Sequence, residues 1–123
     1  MKKALDVFGE AFIRNAFDRT VRKYGDMIFQ RRTKGMTAQY INEILAGFSD
    51  DQRKYVYLIM CKAIEDVSFN VLDLFNQNED FQLNVCIDGK WTNLSEVSDG
   101  LSGELFGDSG WITSFSSTES EKH

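Results

Sequence analysis

Phe81-Gln82-Leu83-Asn84-Val85-Cys86-Ile87-Asp88-Gly89-Lys90-Trp91-Thr92 is the stretch that decides the fold. Phe81, Leu83, Val85 and Ile87 alternate with Gln82, Asn84 and Cys86. That is the period of a strand with one buried face. Asp88-Gly89 is a tight-turn pair, so Lys90-Trp91-Thr92 can return as the second strand of a hairpin. Before this stretch the apolar residues recur at helical spacing; after it, glycine turns dominate. Helices first and a small sheet last predict an α+β fold: about three N-terminal helices packed with a small C-terminal antiparallel sheet.

Residues 3–24 read as the first helix. Leu5, Phe8, Phe12, Ala16 and Val21 fall near one face, with Val7, Ala11 and Phe17 beside it. Glu10–Arg14, Arg14–Asp18 and Asp18–Arg22 are spaced to pair on the outer face. Gly25 is the expected stop. A short basic stretch with Arg31, Arg32 and Lys34 follows. Thr37 is the expected cap of a second helix, with Tyr40, Ile41, Ile44, Leu45 and Phe48 as its buried stripe. Gly47 marks its end.

Ser49-Asp50-Asp51-Gln52 fits a capping box for a third helix, and two acids suit its first turn. Apolar residues continue from Val56 to Phe75, widened by Tyr57, Leu58 and Phe69. Such a helix is expected to be central and packed on more than one side. It spans residues 50–76, with Ser68–Asn70 as the place where a break could fall. Beyond the hairpin, Asn93-x-x-Glu96 suits one helical turn. Trp111 to Phe115 reads as a last strand. One domain, 1–116, is expected, followed by a disordered polar tail, 117–123.

The charge is divided as sharply as the pattern. Residues 1–65 carry 12 Lys and Arg against 8 Asp and Glu, a net of +4; residues 66–123 carry 2 against 11, a net of −9. An acidic surface disfavours polyanions and favours a basic protein partner. The sequence pI of 4.8 argues in the same direction, against nucleic acid. The Arg31, Arg32 and Lys34 cluster reads as a solvated loop. No apolar run approaches the ~20 residues of a membrane span, and no signal-peptide core follows Met1. The expected setting is cytoplasmic, without membrane contact.

Little suggests catalysis. The single histidine is the last residue, His123, which removes histidine-based acid–base and triad schemes. Cys61 and Cys86 lie 25 apart without a close partner cysteine, so they read as two buried thiols and not as metal ligands. The glycines of 100–110 do not match a phosphate loop, and Glu104 and Asp108 would repel phosphate. Asp99, Glu104 and Asp108 do not fit a calcium loop. No catalytic residue, metal or cofactor is expected. The candidate partner-binding residues are the acids Glu96, Asp99, Glu104 and Asp108 with the aromatics Trp91, Phe106 and Trp111, which would serve as anchors inside an acidic rim if exposed.

The segment from Asp88-Gly89-Lys90-Trp91 through Glu104-Leu105-Phe106, closing with Gly110-Trp111-Ile112, resembles the C-terminal half of small bacterial immunity proteins from toxin–immunity systems. The resemblance covers about the last third of the chain. It implies a cognate toxin domain, such as a nuclease, neutralised by tight binding, and it assigns no role to a particular residue. A nuclease must present a basic groove to phosphates, which an acidic protein can occupy. The leading expectation is therefore a non-enzymatic immunity protein or antitoxin. The alternatives are a helical adaptor that forms a homodimer through residues 3–24 and 50–76, and a small carboxylate-dependent hydrolase or lyase.

Overall fold

A computed structural model describes residues 3–77 and 79–118. The fold is α+β, with the helices first, as expected. The chain opens with one long helical rod in three parts: α1 (Ala4–Phe12), a π-helical turn (Ile13–Phe17) and α2 (Asp18–Ile28). The π turn inserts one extra residue, which rotates all that follows by about 100° relative to a plain helix. The buried line therefore runs through Gly9, Ile13, Phe17 and Val21, and the expected stripe is displaced; Ala16 is exposed. Gly25 does not stop the helix. It lies inside α2 against Tyr57, and a Cβ there would sit 3.0 Å from the ring. The rod ends one turn later, where Gln30 takes a positive φ of 62°. Its N–H donates to Met27 O (3.2 Å) and the Arg31 N–H to Asp26 O (2.8 Å). These are the two bonds that close a helix C-terminus.

Helix α3 spans Met36–Ile44. Gly35, at φ 101°, precedes it, so Thr37 lies inside the first turn and is not the cap. Its core contacts come from Ala38 and Leu45, with Ile41 half-buried. Tyr40, Ile44 and Phe48, expected to be buried, are exposed together with Met36. The line 36-40-44 faces away from α2, because α3 packs through the opposite side.

Helix α4 spans Asp50–Gln77 without a break. The expected capping box is formed: the Ser49 N–H donates to Gln52 Oε1 (2.8 Å), and the Gln52 N–H to Ser49 Oγ (3.1 Å). Ser68 bonds back to Ile64 O (2.8 Å) within an uninterrupted helix. One face is buried through Arg53, Tyr57, Cys61, Ser68 and Leu72. The helix is packed on more than one side, by α2 and by the 102–105 turn, but one flank stays open, with Tyr55, Ile59, Val67, Val71 and Leu74 exposed. Arg53 is 5% exposed and donates to the carbonyls of Ile28 (2.5 Å) and Leu45 (3.0 Å). It thus satisfies carbonyls at the ends of both α2 and α3, where the helix dipole favours a cation.

The hairpin is β1 (Asn84–Ile87) and β2 (Lys90–Asn93), antiparallel, with Val85 opposite Thr92 and Cys86 opposite Trp91. Asp88 (φ 52°) and Gly89 (φ 80°) both take the left-handed conformation that a two-residue hairpin turn requires. Phe81 lies outside the strand and is exposed, because pairing starts only at Asn84. Asn93 Oδ1 accepts from the Ser95 N–H (3.1 Å) and opens a 3₁₀ turn, Leu94–Glu96, as the sequence suggested. A second 3₁₀ turn, Ser102–Leu105, packs on α4. Trp111–Phe115 is a short helix, α5, and not a strand. The sheet therefore has two strands.

Trp111 lies flat on α1 at Gly9, where a Cβ would come within 2.5 Å of the indole. Phe8 meets the ring edge-on at 5.7 Å. Below α5 the chain closes over Asp18, which is wholly buried. Its carboxylate accepts from Ser116 Oγ (2.7 Å), the Ser117 N–H (2.9 Å) and the hydroxyls of Ser117 (3.4 Å) and Thr118 (3.3 Å). Asp18 thus forms neither of its expected surface ion pairs, although Glu10 and Arg14 do pair. Of the expected tail 117–123, Ser117 and Thr118 are held in this clasp, and 119–123 lie outside the described residues.

Two predictions follow from these contacts. Gly9→Ala gains helix propensity but forces Trp111 off its seat. We expect a net loss of about 1–3 kcal/mol in chemical denaturation, where an ordinary mid-helix Gly→Ala change would stabilise. Asp18→Asn keeps the volume but turns an acceptor into a donor facing donors. It is expected to cost about 1–3 kcal/mol and to abolish hydrogen-exchange protection of the Ser117 amide.

Candidate functional site

The residues singled out from the sequence divide into two sets. Trp111 is 2% exposed and belongs to the core, so it cannot anchor a partner. Its apolar size suits the Gly9 seat, and its indole N–H has no acceptor among the described residues. Trp91 and Phe106 are 68% and 46% exposed. Glu96, Asp99 and Asp108 are exposed and Glu104 is half-buried.

Three short segments carry these side chains. The hairpin presents Trp91 on its outward face, opposite Cys86. Val85 and Ile87 are half-buried on the other face. The chain then turns back onto the last turns of α4. The Leu94 N–H donates to Leu83 O (2.9 Å), Ser95 Oγ to Phe75 O (3.0 Å), and the Leu101 N–H to Asn76 Oδ1 (3.0 Å). Buried Leu94, Leu101 and Leu105 hold the loop down, which leaves the intervening polar residues outside. Within the loop, Ser98 Oγ accepts from the Gly100 N–H (3.1 Å) and donates to Glu104 Oε1 (3.3 Å). Glu104 is thereby drawn onto the 98–100 turn. Ser102 Oγ faces Asp73 Oδ1 of α4 (3.4 Å). Phe106 stacks on Phe69 of α4 at 6.1 Å.

The acids are therefore collected by the C-terminal end of α4 and the loop packed on it. Trp91 and Phe106 stand on different elements, the hairpin and the flank of α4. Val97, exposed between Glu96 and Asp99, adds an apolar residue that the sequence reading did not select. Its helical or strand period is undefined in a loop, so no pattern signal marked it. At the other end of the molecule lie the basic residues of the 30–35 loop. Arg31 is tied to Asp26 (3.0 Å) and lies over the Phe29 ring, while Arg32 and Lys34 are exposed. Glu10–Arg14, Asp26–Arg31 and Lys62–Glu65 are ion pairs of the first half.

A cleft of about 230 Å³ lies between α2, α4 and the clasp, lined by Arg22, Asp26, Arg31, Tyr57, Ser117 and Thr118 among others. Arg22 bonds Ser117 Oγ and Arg31 bonds Asp26, so both cations are already engaged. This cleft holds one carboxylate, and two further clefts hold Glu43 and Glu10 singly. None of these clefts brings together the pair of acids that the hydrolase alternative requires. Among the described residues no group of three His, Cys, Asp or Glu could hold a metal ion. No described helix is long and apolar enough to cross a membrane.

The two thiols differ. Cys61 is buried on α4; burial pushes its thiol up, against a smaller opposing effect of a hydrogen bond from Tyr57. Cys86 is exposed, contrary to the expectation of two buried thiols, because it occupies the outward face of the hairpin. Under native conditions a thiol-alkylating reagent is expected to label Cys86 rapidly and to spare Cys61 until the protein unfolds. Mass spectrometry of the labelled peptides measures this directly.

Comparison with protein-family models, with curated proteins and with solved structures gave no match.

Proposed function

We propose that the chain is a non-enzymatic binding protein of the immunity or antitoxin kind, which neutralises a cognate toxin domain by covering a basic surface. The observation that carries this reading is the exposure of Trp91 and Phe106 in a region dense with acids. From Asp66 to Thr118 the described residues hold nine Asp and Glu against one Lys, Lys90. Exposed aromatics are the usual source of binding energy at protein interfaces, and surrounding charges of one sign set partner choice and encounter rate. The same charges oppose a nucleic-acid ligand and suit a protein that itself binds nucleic acid, such as a nuclease. The segment that resembles immunity proteins, Asp88 to Phe106 with Gly110 to Ile112, contributes Trp91, Glu96, Asp99, Glu104 and Phe106 to this surface, while its Trp111 and Ile112 are buried.

The contacts of the surface fit a preformed docking platform. Leu94, Leu101 and Leu105 fix the loop, and Ser98 fixes Glu104 within it, so little ordering remains for the moment of binding. Glu96, Asp99 and Asp108 extend from turns and can meet lysine or arginine side chains at the rim.

The test is calorimetric titration against the toxin domain encoded by a neighbouring gene. Trp91→Ala and Phe106→Ala are expected to weaken binding by roughly tenfold or more each, as hot-spot truncations do. Asp99→Lys with Glu104→Lys should slow association and flatten its salt dependence, with dissociation less affected. A complex that tolerates all four substitutions at full affinity would overturn this surface as the docking site.

A further inference from the structure

A second surface lies on the opposite flank of α4 and is independent of the acidic loops. The rod and α4 run antiparallel and leave a shallow groove between them. One wall is Ala16, Thr20 and Tyr24; the other is Met60, Ala63 and Val67. The groove is almost purely apolar, and Val67 and the neighbouring Ile59 are 59% and 71% exposed. Small side chains on both walls would let another pair of helices approach closely.

The rims of the groove differ in sign. On α2, Arg19 and Lys23 lie one step around the helix from Ala16 and Thr20, and both are exposed. On α4, Asp66 lies one step outside Ala63 and Val67 and is also exposed. Asn70 continues that rim, while Lys62, further round, is paired with Glu65 (3.2 Å). A lipid surface would select cations on both rims. A strongly charged protein partner would select one sign. A basic rim facing a rim that carries Asp66 across an apolar floor complements itself: a copy turned about an axis along the groove sets α2 over the partner's α4 at the same height, and Arg19, which the contacts Gly25–Tyr57 and Ile28–Arg53 place nearly level with Asp66, over the partner's Asp66.

We propose that this groove is the interface of a homodimer, filled by the same groove of a second copy. The product is a four-helix core, with each chain supplying the rod and α4, in the closed two-fold arrangement commonest among homo-oligomers. Phe69, on which Phe106 stacks, lies about 120° around α4 from Ala63. The dimer therefore leaves Trp91, Phe106 and the acidic loop open, and the two surfaces can be tested separately.

Sedimentation equilibrium of the full chain over a concentration series is the experiment. The expected result is a reversible dimer. Val67→Glu should yield a monomer with an unchanged circular-dichroism spectrum. Arg19→Glu and Asp66→Arg should each weaken the dimer by roughly fivefold to tenfold, as loss of a charge contact does, and the double reversal should restore it. If Val67→Glu fails to fold, the exposed charge-reversal pair decides alone. A chain that stays monomeric at every concentration overturns the proposal. So does a dimer that ignores all these substitutions. A monomer that co-sediments with anionic lipid vesicles, with binding abolished by Val67→Glu, would assign the face to a membrane surface and overturn it as well.

Discussion

The seating of the last described segment on the first helix is the constraint on which the rest of the structure depends. Two contacts make it: Trp111 on Gly9, and Ser116 to Thr118 around Asp18. Nine residues separate Gly9 from Asp18, which in a plain α-helix places them on opposite sides, about 180° apart. The extra residue of the π turn, Ile13–Phe17, swings Asp18 round by about 100° and brings both to the side where α5 lies. The turn is thus the feature that lets one segment close on one helix at two points. An uninterrupted helix would leave the carboxylate in solvent and the hydroxyls without an acceptor.

Asp18 and Arg53, the buried charges among the described residues, are compensated by hydrogen bonds. Asp18 is met by hydroxyls and an amide, and Arg53 by two helix-terminal carbonyls. Charge-assisted hydrogen bonds of this kind are about twice as strong as neutral ones, and they must be, because a buried charge left bare costs several kcal/mol. Each charge also ties elements that are distant in sequence. Arg53 joins the ends of α2 and α3 to α4, and Asp18 joins the rod to residues 116–118. Arg53 acts at the end of the rod and Asp18 at its middle, while the acidic loop is held on the last turns of α4 by bonds to Phe75 and Asn76.

What was legible in the sequence was whatever a local rule fixes. The Ser49/Gln52 box, the Asp88-Gly89 turn and the Asn93 cap all follow from residues within a few positions of one another, whereas the continuity of α4 through Ser68–Asn70 did not. What was not legible depended on packing at a distance. Gly25 looks like a helix stop, but its missing side chain makes room for Tyr57, 32 residues away. Asp18 looks like an outer-face charge, because helical arithmetic assumes 3.6 residues per turn and the π turn breaks it. Trp111 to Phe115 has strand-like composition, but the seat of Trp111 on Gly9 takes a helical turn. Trp111 lost its role as a surface anchor for that same reason, while Trp91, on a two-stranded ribbon with one face uncovered, kept its exposure.

The charge split, first seen as a count along the chain, becomes spatial through α4. This helix is about 40 Å long at ~1.5 Å per residue. Its first turns meet the ends of α2 and α3 beside the basic 30–35 loop, and its last turns carry the acidic 94–108 loop. The acidic excess is thus gathered at one end of α4, while the other end mixes exposed Arg32, Lys34 and Lys54 with exposed Glu43, Asp50 and Asp51. Ile59, Ala63 and Val67 lie on one flank and Phe69 with Phe106 on the other. A dimer along the first flank would place two acidic ends on one assembly, and a partner with two basic patches would then be held by both at once, with an effective concentration set by a rigid core and not by a flexible linker.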